Sequence, residues 1–119
     1  MKTYDLEERL LGYSAEVILL AERLPKTRAG NHIAGQLIRS GTSPFSNHGE
    51  AQGAESQKDF IHKMGICVKE LRESERWLKL IRRVPLLPLT DKTLSSLLKE
   101  TDELIRIFAS SIKTAKSHL

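Results

Sequence analysis

Between residues 60 and 81, Phe60, Met64, Cys67, Leu71, Ser74, Leu78 and Ile81 recur with a near-perfect four-three spacing. At 100° per residue this spacing gathers them on one side of a helix about six turns long, whereas a strand would alternate its apolar residues. The four residues Ser56 to Asp59 (SQKD) have the form of a capping box just ahead of the stripe. They place a hydroxyl near the first free backbone amides and a carboxylate near the positive end of the helix dipole. Two prolines in VPLLPLTD mark the far end.

Three other segments supply partners for that stripe. From about Tyr4 to Leu24, Leu6, Leu10, Tyr13, Val17, Leu20 and Leu24 alternate fours and threes, and Pro25 ends the pattern. PKTRAGN then reads as the first turn, and a second helical pattern starts near Asn31 with Ile33, Leu37 and Ile38. The fourth segment carries Leu94, Leu97, Thr101, Leu104, Phe108 and Ser111 or Ile112, with Thr90 or Asp91 as its cap. No alternating run argues for a strand, and the prolines of VPLLPL argue against pairing there. The expected fold is all-α: an antiparallel up-down-up-down four-helix bundle forming a single domain over residues 1–119.

A second set of apolar residues falls outside these stripes. Leu11 and Ile18 lie roughly 100–140° around the first helix from the Leu6/Leu10 line, and Leu98, Ile105, Ile112 and Leu119 form a seven-spaced row on the fourth. Two readings stay open. These residues either widen the core face of each helix or face a second subunit.

The stretch RSGTSPFSNHGEAQG, residues 39–53, looks like a loop by composition. It has neither the GxxxxGK[ST] order of a phosphate loop nor the GxGxxG order of a dinucleotide turn, and it lacks the GxSxG of a nucleophile elbow. At helical spacing, however, Arg39, Ser43, Asn47 and Glu50 make one polar stripe. Asp59, Lys63, Glu70, Glu73 and Trp77 make another on the third helix, with Ile66 inside it, so an ion pair of Arg39 with Glu70 or Glu73 is expected between them. Pro44 removes the amide that would bond to the carbonyl of Ser40, so the second helix is expected to kink near residues 40–44. Alternatively it stops at Ser40 and restarts with Ser43 as cap and Pro44 in the first helical position. Gly41 and Gly49 add slack.

Other chemistry finds little support. One near match to a carboxylate-bundle metal motif, Asp59-x-x-His62, has no second copy, and His32, His48, His62 and His118 show no paired ligand spacing. No metal or cofactor is expected. Cys67, the only cysteine, holds a core position without a catalytic companion, and it excludes an internal disulfide and suits a reducing cytoplasm. Trp77 reads as a packing residue at a helix interface rather than a stacking platform. The acidic residues of MKTYDLEERLL do not suit a signal peptide, and no apolar run reaches membrane-spanning length, so a cytoplasmic, non-enzymatic protein is expected.

The formal net charge of +4 permits a nucleic-acid partner without requiring one. Its most concentrated source is the end of the third helix, where Lys69, Arg72, Arg76, Lys79 and Arg83 line one face with Arg82 beside them. Over residues 69–83 six cations stand against three carboxylates. The row can meet phosphates of RNA or DNA, or it can be a solvated face partly paired, for example Glu75 with Lys79.

The ordered set Arg39, Ser40, Ser43, Asn47 and Glu50 (RS-x-x-S-x-x-x-N-x-x-E), then Asp59-Phe60, then KELRESERWLKL from Lys69 to Leu80, resembles the bacterial four helix bundle protein family. These are also called 23S rRNA-intervening-sequence proteins. The resemblance covers nearly the whole chain and implies a left-turning antiparallel bundle, a ring-like homopentamer and no known enzymatic activity. It extends to accessory subunits of diversity-generating retroelements, which bind a reverse transcriptase and nucleic acid through a basic surface. Pro44 departs from the family, whose members usually have a small or β-branched residue between the positions of Ser43 and Asn47. The partners to be tested are therefore copies of the chain itself, RNA or DNA, and a protein partner docking on an apolar face.

Overall fold

The computed structural model describes residues 5–119, which form four helices: α1 (Leu6–Glu22), α2 (Arg28–Gln52), α3 (Gln57–Arg83) and α4 (Lys92–Lys116). Among the described residues there is no strand. Tyr4, where the first helical pattern begins, lies outside them. Each helix starts on a side chain that accepts from a free backbone amide: Asp5 from Glu8, Thr27 from Gly30, Ser56 from Asp59 and Asp91 from Leu94. Such caps are worth about 1 kcal/mol each. Asp91 has a second role, because the Arg23 guanidinium 2.8 Å away ties the start of α4 to the end of α1 and holds its carboxyl below the usual carboxylate range.

One core draws on all four helices. The α3 stripe from Met64 through Cys67, Leu71, Leu78 and Ile81 is buried, as are Leu10, Tyr13, Val17 and Leu20 of α1 and Leu94, Leu97, Leu104 and Phe108 of α4. Full burial of a leucine or phenylalanine side chain contributes roughly 1.5–3 kcal/mol, so these stripes are the main source of stability. Successive helices pack on each other and α4 returns to α1. As partner residues on α2 advance from Arg39 to Glu50, those on α3 fall back from Glu73 to Lys63.

The second helix departs from expectation in two places. It begins at Arg28 rather than near Asn31, because Thr27 caps it and the chain is already helical before its first core residue, Ile33. It also runs unbroken through Pro44, so the restart capped by Ser43 does not occur. An interior proline costs about 3 kcal/mol, yet here the buried positions Ile33, Leu37, Ser40, Gly41, Pro44, His48 and Ala51 form one continuous stripe spanning it. A break would tear that stripe in two. Gly41 contributes closeness rather than slack, since a Cβ built there would sit 2.6 Å from Val17 Cγ1.

Each helix also sends at least one hydroxyl into the core. Thr101 Oγ1 donates to the Leu97 carbonyl at 2.6 Å, which leaves the Tyr13 hydroxyl to donate to Thr101 Oγ1 at 2.6 Å. Ser74 lies 2.9 Å from Ser40 and also reaches the Glu70 carbonyl. Burial pushes the Tyr13 phenol up to about 12, so the neutral phenol belongs to the folded state. Its contribution is complete below its ordinary value of about 10 and is lost as pH rises toward 12, amounting to about 2–3 kcal/mol for two pKa units. Urea unfolding across this alkaline window should show a smaller loss in Tyr13→Phe than in the native chain, the remainder coming from the buried Cys67 thiol.

Candidate functional site

The polar stripe of α2 meets that of α3 at both ends. Arg39 Nη1 donates to Glu70 Oε1 at 3.1 Å while its Nη2 donates to Glu73, so both expected partners are engaged. At the other end Lys63 Nζ donates to Glu50 Oε1 at 2.7 Å. Between them Asn47 turns back on its own helix, donating to the carbonyl and hydroxyl of Ser43. Arg39 is half exposed, so these pairs fix how two helices sit side by side and contribute only modestly to stability.

Glu73 links this network to the basic row. It accepts from Trp77 Nε1 at 3.0 Å, and His32 of α2 meets the indole edge-to-face at 6.0 Å between ring centroids. The half-buried Trp77 is therefore held in one orientation, as a packing residue would be. It also lines an open cleft of about 1000 Å³ at the C-terminal end of α3. Leu80 and Leu89 make the rest of the apolar lining, and Arg76, Lys79, Arg82 and Arg83 supply positive charge. Lys69 and Arg72 continue the row along α3, away from the cleft.

All six cations are exposed, and none has an acidic partner within ion-pair distance among the described residues. The Glu75–Lys79 pair that would have neutralised part of the row is not formed. Elsewhere Arg9, Arg23, Arg39, Lys63 and Arg106 hold carboxylates while Lys58, Lys92 and Lys113 do not, so the row is set apart by the density of its unpaired cations on one helix. Arg82 and Arg83 also complement the negative end of the α3 dipole.

The apolar rows separate. Leu98, Ile105 and Ile112 are partly buried against the core of their own bundle, whereas Leu11 and Ile18 remain 47% and 41% exposed, with Leu19 at 62%. The α4 row thus lies partly against its own core, with Leu119 at its end 67% exposed, and α1 keeps an uncovered apolar edge.

Of the remaining candidates, Cys67 donates its thiol to the Pro44 carbonyl at 3.6 Å, and burial pushes that thiol up to about 12. It stays protonated at neutral pH and is a poor nucleophile there. His48 is buried, with Nδ1 unpartnered and its ring edge-to-face with Phe108. Burial lowers its pKa, favouring the neutral ring. His62 and His118 are exposed, and among the described residues no three His, Cys, Asp or Glu side chains converge as metal ligands.

Residues 5–110, spanning α1 through most of α4, match the profile of a family described as 23S rRNA-intervening sequence protein. The chain belongs to this 23S rRNA-intervening sequence protein family. A solved structure described as a protein of unknown function from the S23 ribosomal protein family of Bacteroides thetaiotaomicron VPI-5482 is 31% identical to it. The two superpose with a TM-score of 0.82 over 90% of this chain and 97% of the other. No functionally curated protein matches. Both the α2–α3 polar network and the whole basic row fall inside the matched span, while Ile112 lies just past it.

Proposed function

We propose that this chain is a non-catalytic, self-associating up-down-up-down helical bundle that binds nucleic acid through the α3 row, as an accessory module of a ribonucleoprotein in the cytoplasm. The observation that carries the reading is the concentration of six exposed cations on one helix between Lys69 and Arg83, none of them held by a carboxylate. Phosphates neutralised by such a row release counterions, which gives affinity without base readout. The family description, naming an insertion in ribosomal RNA, makes RNA the first ligand to try. The test is binding of a structured RNA and a matched DNA duplex at low and near-physiological salt. Affinity that falls steeply with salt supports the reading, and no binding at low salt refutes it.

Self-association is supported by the exposed edge Leu11, Ile18 and Leu19 on α1 and by the family resemblance to ring-forming homopentamers. Light scattering should return a multiple of the 13.4 kDa chain mass for the native protein and the single-chain mass for Ile18→Asp, with helix content unchanged. A native protein already at single-chain mass would remove this part of the reading. The same apolar edge favours a second reading, a protein-interaction module that does not bind nucleic acid, whose complexes would be insensitive to salt.

A further inference from the structure

The cleft at the end of α3 is more than a charged surface. Four of the row's cations surround an opening whose other walls are Trp77, Leu80 and Leu89, the last two 39% and 68% exposed, and Glu73, whose carboxylate is engaged by Arg39 and the Trp77 indole. Phosphates alone do not account for apolar walls, and an apolar ligand does not account for four unpaired cations. Resting on the nucleic-acid reading above, we propose that this cleft takes single-stranded nucleic acid, with unstacked bases against the apolar walls and the backbone on Arg76, Lys79, Arg82 and Arg83.

The chemistry of the two strand states decides between them. A duplex keeps its base faces inside the stack and offers a protein phosphates, sugars and base edges, so the leucines would stay wet. A single strand brings base planes that stack on an indole or a guanidinium and rest on alkyl groups. Glu73, held by Arg39, fixes the Trp77 indole through its N–H, so the aromatic wall is set before any ligand arrives. Charge density alone points the other way, because a duplex carries more phosphate per unit length and a purely electrostatic row binds it more tightly. Tighter binding of the single strand would therefore be a signature of the apolar walls.

Trp77 is the chain's single tryptophan, so its emission reports occupancy of this cleft directly. A mixed-sequence RNA strand of about 12 nucleotides and its duplex are titrated into the full chain in the same buffer. The expected result is quenching by the strand, with affinity at least about tenfold above the duplex. Leu80→Asn/Leu89→Asn, at exposed positions that do not hold the core, should lose about tenfold for the strand and leave duplex binding unchanged. Equal binding of both forms without quenching overturns this proposal and leaves the phosphate-binding reading standing, whereas no binding of either at low salt removes both. Equal quenching by polyglutamate would assign the cleft to an acidic polypeptide and overturn the proposal. So would a change of oligomeric mass in the double variant, which would place the leucines in a subunit interface.

Discussion

Phe108→Ala is expected to cost about 3–5 kcal/mol of folding free energy. Phe108 is fully buried on α4. Its ring edge also covers His48, whose Nδ1 has no hydrogen-bond partner. Removing the ring loses the transfer free energy of the removed carbons and leaves a cavity beside a polar atom. Domains of this size have roughly 5–15 kcal/mol to lose, so the urea midpoint should fall by about a fifth or more. The loss should shrink below neutral pH, because the variant, with His48 opened to water, escapes part of an acid penalty that the native chain carries. In the native chain burial holds His48 neutral, so the unfolded state takes up a proton first and stability declines as pH drops through the ordinary histidine range. A midpoint shift below about 1 kcal/mol would mean that the core around Phe108 is looser than its burial implies.

Neutralising Arg72, Arg76 and Lys79 together by glutamine should lower RNA affinity by about 100-fold at low salt, since each phosphate left without its cation forgoes a unit of counterion release. The control is an equal loss of charge elsewhere. Arg23, Lys63 and Arg106 each hold a carboxylate on the surface, and exposed pairs contribute about 0–1 kcal/mol, so Arg23→Gln/Lys63→Gln/Arg106→Gln should still fold. It should keep most of the affinity, losing only the diffuse effect of net charge. Equal losses in the two triple variants would show that overall charge, and not the α3 row, attracts the ligand.

How much of this was legible in the sequence depends on whether the signal lay within one helix or between helices. The α3 and α4 stripes, the Ser56 cap and the Asp91 cap were readable because each depends on residues a turn or two apart. Arg39 with Glu70 and Glu73 was readable because two polar stripes of matching length faced each other. The start of α2 at Arg28 was not, since its first turn has no core residue and hydrophobic spacing is silent until Ile33. Local propensity at Pro44 argued for a kink or a break, and the buried stripe on both sides of it prevailed over the break. The hydroxyls of Tyr13, Ser40, Ser74 and Thr101 are spread over four helices, so their pairing depends on the bundle itself.

The site was legible in part for the same reason. The row from Lys69 to Arg83 is local spacing on one helix. Its lack of carboxylate partners, and the position of Leu89 from the α3–α4 connection in the cleft wall, are tertiary facts. The exposed edge at Leu11 and Ile18 was visible as a second stripe, but only packing separated it from the α4 row that its own bundle partly covers.

The central claim is that the unpaired α3 row binds phosphates, and the most direct measurement is the slope of log affinity against log salt for the native chain and for Arg72→Gln/Arg76→Gln/Lys79→Gln with the same RNA. The account predicts a steep native slope that becomes shallower by about 2–3 in the variant, with one phosphate fewer neutralised for each substitution. Identical slopes in the two proteins, or a native affinity indifferent to salt, would contradict it.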